Sequence, residues 1–379
     1  MSETLKNFEQ LPVIPKGEQL VPDDFEMRPA TEQTFEEMDR EAVQGLRPEE
    51  NLQPGQFTMR EVAQLNASGQ LRVSIIEKSR DDGSKHNIHV VDGVGQETPV
   101  EEIIKKLDLP QFEIAVFVMG GAGKTDDEVN QKLMAVLPQA LAQAAKERKL
   151  LVGDGGTQSG VMIATGEGRK RAIEAQYDFV LLGVAPKEEL SEFYPDQEGK
   201  YPIEPNHTHA VAVASKPEDV GEYGAWGNET RKMYELFGKL SEGKPGIGIV
   251  VNGGGITVNE VIQNMKQGRR LIVLENTGRA ADGLAAIKRK FSPELLQCSQ
   301  EQQKTSEEEE EEEEFAALKQ ALLSQLPDES EERKRAQAFI DAAENIKTLQ
   351  SWIDLLIVED IDDPQVVENI AGHMKNLHI

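Results

Sequence analysis

The sequence predicts an α/β protein: a Rossmann-like, mostly parallel sheet with helices on both faces, flanked by acidic segments expected to be disordered. Three observations lead there. Short apolar runs recur through the middle of the chain, as in Glu113-Ile-Ala-Val-Phe-Val118, Asp178-Phe-Val-Leu-Leu-Gly-Val184 and Ile247-Gly-Ile-Val-Val251. Helical periodicity follows each run, rather than a second strand. Glycine-rich turns stand at the carboxyl ends of the runs, where open parallel sheets bind their ligands.

Charge is spread unevenly over the 379 residues. The formal net charge is −27, of which residues 1–55 carry −8 and residues 298–379 carry −14. The core between them is close to balanced. A field of this sign disfavours DNA, RNA and anionic membranes as partners. The single cysteine, Cys298, excludes an internal disulfide and a cysteine-based zinc cluster. Met1-Ser-Glu-Thr-Leu-Lys lacks a signal pattern, and no apolar run is long enough to span a bilayer, so a cytoplasmic setting is expected.

In chain order, residues 1–55 form a proline- and glutamate-rich arm, expected to be disordered or loosely docked, with a short helix at Glu32–Val43 as the alternative. Residues 56–110 read as a hairpin and helix. Leu71–Glu77 and His86–Val91 are the strands, and Arg80-Asp-Asp-Gly-Ser-Lys85 is the turn. Thr98 is the expected N-cap of the helix, with Pro99 as its first residue. His86 and His89 fall on opposite strand faces and read as hairpin surface rather than metal ligands.

Residues 111–295 are the expected ligand-binding core. Its first strand ends in Met119-Gly-Gly-Ala-Gly-Lys-Thr125. A Walker A motif needs a glycine at position 118, which is valine, so this is a simpler glycine turn opening a helix over Asp126–Arg148. Lys124 is either a phosphate contact or a solvated turn lysine. Leu150–Val152 leads into Gly153-Asp-Gly-Gly-Thr-Gln-Ser-Gly160 and a helix from Val161. Glu204-Pro-Asn-His-Thr-His209 precedes a strand over Ala210–Ala214, and Trp226–Ser241 is an amphipathic helix. His207 and His209 share a strand face, but no further ligand cluster supports a metal, so His207 is assigned to the pocket lining. No cofactor is expected. The turns Asn252-Gly-Gly-Gly255 and Asn276-Thr-Gly-Arg279 each open a helix, offering backbone N–H groups to an anion.

Residues 296–330 hold Glu307–Glu314, an unbroken glutamate run expected to be a solvated linker or insertion. Residues 331–379 close the core. Helices are expected at Phe315–Gln325, Glu329–Glu344 and Pro364–Lys375, and a late strand at Ile353–Val358.

The turns Gly155-Gly-Thr-Gln-Ser-Gly-Val-Met162 and Gly253-Gly-Gly-Ile-Thr-Val-Asn-Glu260 resemble the paired signatures of the SLOG (LSDAT) superfamily, in its prokaryotic TRPM-like branch. That superfamily also holds the Lonely Guy phosphoribohydrolases and the DprA/Smf proteins. Gly120, Gly121, Glu204–His209 and Gly278–Asp282 add to the likeness, which covers about Phe112–Lys290. It implies a nucleotide-derived ligand, related to ADP-ribose or NAD, and a homodimer paired through helices. In the Lonely Guy branch an arginine and a glutamate cleave an N-glycosidic bond to ribose 5-phosphate. Arg231 and Glu260 are similar in position. Asn252 stands where the family carries proline, and Ile256 where it carries glycine.

Two functions follow. One is a ligand sensor. Gly120, Gly121, Gly156, Thr157, Gly160, Gly253, Gly254, Gly255 and Thr257 would then present donors to phosphates, and Gly278 and Arg279 would complete the site. The other is a nucleotide N-glycosidase, with Glu260 stabilising positive charge on the ribose and Arg231 holding the phosphate. A protein partner for the acidic flanks is expected but not identified by the sequence.

Overall fold

The computed structural model describes residues 71–80, 83–121, 126–221, 224–291, 309–324 and 326–378, and of residues 309–314 the backbone alone. The arm over 1–55, the helix at Glu32–Val43, Lys124 and Cys298 lie outside the described residues.

Among the described residues, nine strands form one sheet. They are β1 (Arg72–Ser79), β2 (Lys85–Val94), β3 (Ile114–Gly120), β4 (Leu150–Asp154), β5 (Val180–Pro186), β6 (His209–Val213), β7 (Gly246–Val251), β8 (Arg270–Glu275) and β9 (Leu356–Asp360). Their order is β1-β2-β6-β5-β4-β3-β7-β8-β9. Only β1 and β2 are antiparallel; every other neighbour is parallel. The hairpin is therefore the edge of the main sheet, because β2 pairs β6 through His89–His209 to Val91–Val211.

The helices are α1 (Val100–Leu107), α2 (Asp127–Ala145), α3 (Gly160–Glu174), α4 (Thr230–Leu240) and α5 (Gly255–Lys266). After them come α6 (Arg279–Lys290), α7 (Glu309–Leu323), α8 (Glu331–Ala343), α9 (Ile346–Leu355) and α10 (Val366–Lys375). They cover both faces of the sheet, as strand alternation requires. On β3, Ala115, Phe117 and Met119 enter one core with α1 and α4–α9. Ile114, Val116 and Val118 enter the other, with α2, α3 and α10.

Three boundaries differ from the sequence reading. Thr98 does not cap α1: its hydroxyl accepts from Gly95 N at 2.9 Å, and Pro99 takes the N-cap position. The late strand begins at Leu356, because Leu349, Trp352 and Ile353 are spent on a helix face packed into the core. The glutamate run is helical from Glu309 onward. Glutamate is a good helix former, and negative charge is favoured in a first turn.

β3 is the pivot. The chain moves outward from it through β4, β5 and β6 on one side and through β7, β8 and β9 on the other. The crevice above the carboxyl ends of β3 and β7 is thus the switch point of the sheet.

Candidate functional site

The site is built from four strand ends. Gly120 ends β3 opposite Val251, which ends β7. A methyl at Gly120 would stand 2.6 Å from the Val251 carbonyl oxygen, so the two strand ends touch at backbone distance. Gly121 lies at ordinary contact distance from Asn252 Oδ1 (3.6 Å), Gly253 N (3.6 Å) and Arg279 Nη1 (3.8 Å), measured from its ideal Cβ.

Asn252 holds the β7 turn together. It takes a positive φ of 50°, which asparagine tolerates better than other side chains. Its Oδ1 accepts from Gly253 N at 2.6 Å, and its N–H donates to Thr277 Oγ1 at 2.8 Å. The β7 and β8 turns are therefore locked to one another. Two further bonds reinforce this: Ala280 N donates to Gly253 O and Ala281 N to Asn252 O, both at 3.1 Å.

Those bonds separate the two helix starts chemically. The first-turn donors of α6 are occupied, since Arg279 N also donates to Glu332 Oε1 at 3.3 Å. Helix α5 differs. Its N-cap is Gly254, which has no side chain to cap it, and its first bond runs from Val258 N to Gly254 O at 3.1 Å. Gly255, Ile256 and Thr257 are left as N–H groups without an intrahelical acceptor. Arg279 lies alongside: a methyl at Gly254 would fall 2.6 Å from its Nη2. An uncapped helix N-terminus beside a guanidinium is the donor set that an oxyanion requires. A hollow of about 500 Å³ opens beside it, lined by Asn252, Thr277, Gly278, Arg279, Lys132 and Asp282 among others.

The β4 turn is organised by a buried ion triad. His207 is fully enclosed, and its Nε2–H donates to Asp154 Oδ1 (2.8 Å) while Nδ1–H donates to Glu204 Oε2 (2.9 Å). Burial alone would lower its pKa, but the Asp154 and Glu204 carboxylates outweigh this and push it up to about 10. Asp154 Oδ1 also accepts from Gly156 N at 2.7 Å, and its other oxygen from the Thr165 hydroxyl. His207 is therefore committed to holding the turn, with both ring nitrogens engaged. Gly156 packs backbone to backbone on Gly183, where a methyl would meet Gly183 Cα at 2.8 Å. Thr157 is buried, with its hydroxyl on Ser159 Oγ at 3.0 Å, and Gly160 opens α3.

Glu260 on α5 retains a partial opening to solvent. Enclosure of its carboxyl, followed by the charges of Glu229 and Asp154, pushes its pKa well up from the carboxylate range. Glu229 went unnoticed in the sequence. It is buried, accepts from Gly227 N at 2.8 Å, and is raised to about 7, chiefly by burial. Gly227 packs on Ile256 of α5, which sets this turn against the one that carries Glu260. The sequence signal was Gly227-Asn-Glu-Thr230, a glutamate just before a helix, which reads as ordinary first-turn electrostatics.

Arg231 is not brought to this crevice. Its side chain is 70% exposed and bonds Glu235 at 3.1 Å. It lines a separate hollow against α1. Among the described residues no group of three or more His, Cys, Asp or Glu side chains could hold a metal. No helix among them is long and apolar enough to cross a membrane.

A family model described as SLOG in TRPM, prokaryote, matches residues 114–316, more than half of the chain. Transient receptor potential cation channel subfamily M member-like 2 of Nematostella vectensis is 25% identical over 209 residues, covering 47% of this chain and 13% of that protein. Subfamily M member 1 of Mus musculus is 26% identical over 204 residues, covering 48% and 12%. Subfamily M member 2 of Mus musculus is 24% identical over 231 residues, covering 51% and 15%. The chain thus matches only a small part of the length of these relatives.

Proposed function

The chain belongs to the prokaryotic family of SLOG domains of the TRPM type, and from that premise we propose that it binds a nucleotide-derived small molecule, related to ADP-ribose or NAD, as a ligand sensor. The observation that carries this reading is the uncapped start of α5 beside Arg279, at the switch point of the sheet. A phosphate there would take N–H groups from Gly255, Ile256 and Thr257 and a forked contact from Arg279. Glu260 and Glu229 would offer hydrogen bonds to ribose hydroxyls. The exposed position of Arg231 supports sensing over cleavage, because a phosphoribohydrolase site would bring that arginine and Glu260 to one substrate. A cytoplasmic setting is part of the same proposal, resting on the single cysteine.

One observation favours the second reading, a nucleotide N-glycosidase. A general acid for base departure needs a carboxyl whose pKa is raised from the carboxylate range, and burial shifts Glu260 in that direction. The test is incubation of the full chain with ADP-ribose, cyclic ADP-ribose, NAD and AMP, reading melting temperature and product chromatography on the same samples. A raised melting temperature with intact ligand, lost in Arg279→Ala, is the expected result. Release of free base, lost in Glu260→Gln, would replace the sensor with the glycosidase. No response to any member of the panel would remove the ligand class.

A further inference from the structure

A hollow of about 830 Å³ lies away from the glycine turns, between the α1 start and the outer face of α4. Its charges are layered. The acidic side chains Glu97, Glu235 and Glu242 stand at the rim, the last two 38% and 69% exposed. Glu235 and Glu242 are engaged with rim or wall cations. Glu235 takes Lys232 at 2.6 Å and Arg231 at 3.1 Å, and Glu242 takes Lys239 at 2.7 Å.

The floor is different. Arg269 is 6% exposed and has no carboxylate partner among the described residues. Its guanidinium donates to three neutral oxygens: Asn264 Oδ1 (2.5 Å), Ser241 Oγ (2.9 Å) and Gln267 Oε1 (2.8 Å). It also stacks over the Phe117 ring, 4.3 Å from the centroid. These contacts satisfy three of five N–H groups and leave the charge without a counter-ion. Burial pulls its pKa down to about 10, yet it remains cationic at neutral pH. A buried guanidinium is ordinarily neutralised, because an uncompensated charge in a low dielectric is costly. In a chain of net charge −27, a hollow walled by Lys232 and floored by Arg269 is a local exception.

We propose that this hollow is a second ligand site, which takes a small metabolite through a compact oxyanion, phosphate or carboxylate, seated against Arg269. The α1 start contributes in the same sense: its N-cap is Pro99, with no side-chain cap, and it also lines the hollow. The volume suits a small metabolite rather than a macromolecular partner. This proposal does not depend on the ligand of the glycine turns.

Equilibrium dialysis of the full chain with radiolabelled inorganic phosphate tests it, with acetate and citrate as competitors to separate phosphate from carboxylate preference. The expected result is a phosphate site that survives Arg279→Ala and is weakened at least tenfold in Arg269→Gln. Should Arg269→Gln fail to fold, Lys239→Glu at the exposed rim gives the second reading, with an expected weakening of threefold or more. The proposal is overturned if all phosphate binding is lost in Arg279→Ala, if no oxyanion binds, or if binding is indifferent to both hollow variants.

Discussion

Gly120 and Gly254 stand in neighbouring glycine turns, yet an added methyl meets different neighbours. At Gly120 it would strike the Val251 carbonyl, part of the sheet backbone. Gly120→Ala is expected to destabilise by about 1–3 kcal/mol, read as a lower urea midpoint. At Gly254 it would strike the far end of Arg279, a side chain able to swing away. Gly254→Ala should keep the unfolding free energy from urea titration within about 0.5 kcal/mol of native and lose the ligand-induced rise in melting temperature. His207 gives a different residue-scale prediction. His207→Gln leaves Asp154 and Glu204 buried without their cation and should cost about 3–5 kcal/mol. Its pKa is raised from 6.5 to about 10 in the folded state, so its contribution is complete below about pH 6.5 and is lost as pH rises through about 10. Urea midpoints across that window should converge for native and variant at the alkaline end. A constant gap would mean that His207 acts by packing alone.

At the scale of elements, the parallel strands were legible because runs such as Ile114–Val118 are apolar on both faces, the mark of a doubly covered strand. The glycine turns were legible for the same reason, since each interrupts such a run. The position of β9 was not. Leu349, Trp352 and Ile353 belong to a helix, and only the pairing of Leu356–Asp360 with β8 shows where extension begins. Glu229 was hidden because burial is a property of the fold, and a glutamate at a helix start looks ordinary. The division of labour between α5 and α6 was equally hidden, since both begin after glycines and only long-range bonds from Ala280 and Ala281 occupy one of them. Helix docking itself can be tested at Gly283 on α6, where a side chain would stand 2.5 Å from the Glu332 carbonyl oxygen of α8. Gly283→Val should cost at least about 1–3 kcal/mol and raise amide exchange across α8. Native-like exchange there would mean that α8 is not seated on Gly283.

At the scale of the molecule, β9 supplies the outer partner of β8, and α10 packs beside α2 in the core of the opposite face. This arrangement sets an order on biosynthesis. The crevice can be threaded as soon as β8 and α6 have emerged from the ribosome, but the β8 edge and part of both cores stay open until β9 and α10 have followed. Between those two points the nascent protein is an unfinished sheet, a state prone to edge pairing and to capture by chaperones. It also follows that the segment carrying β9 and α10 is a detachable seal. Two separately made pieces, divided within residues 292–308, should reassociate into a folded heterodimer on mixing, detected by size-exclusion chromatography and a single cooperative melt. A leading piece that melts cooperatively at the native temperature by itself would show that the seal is dispensable.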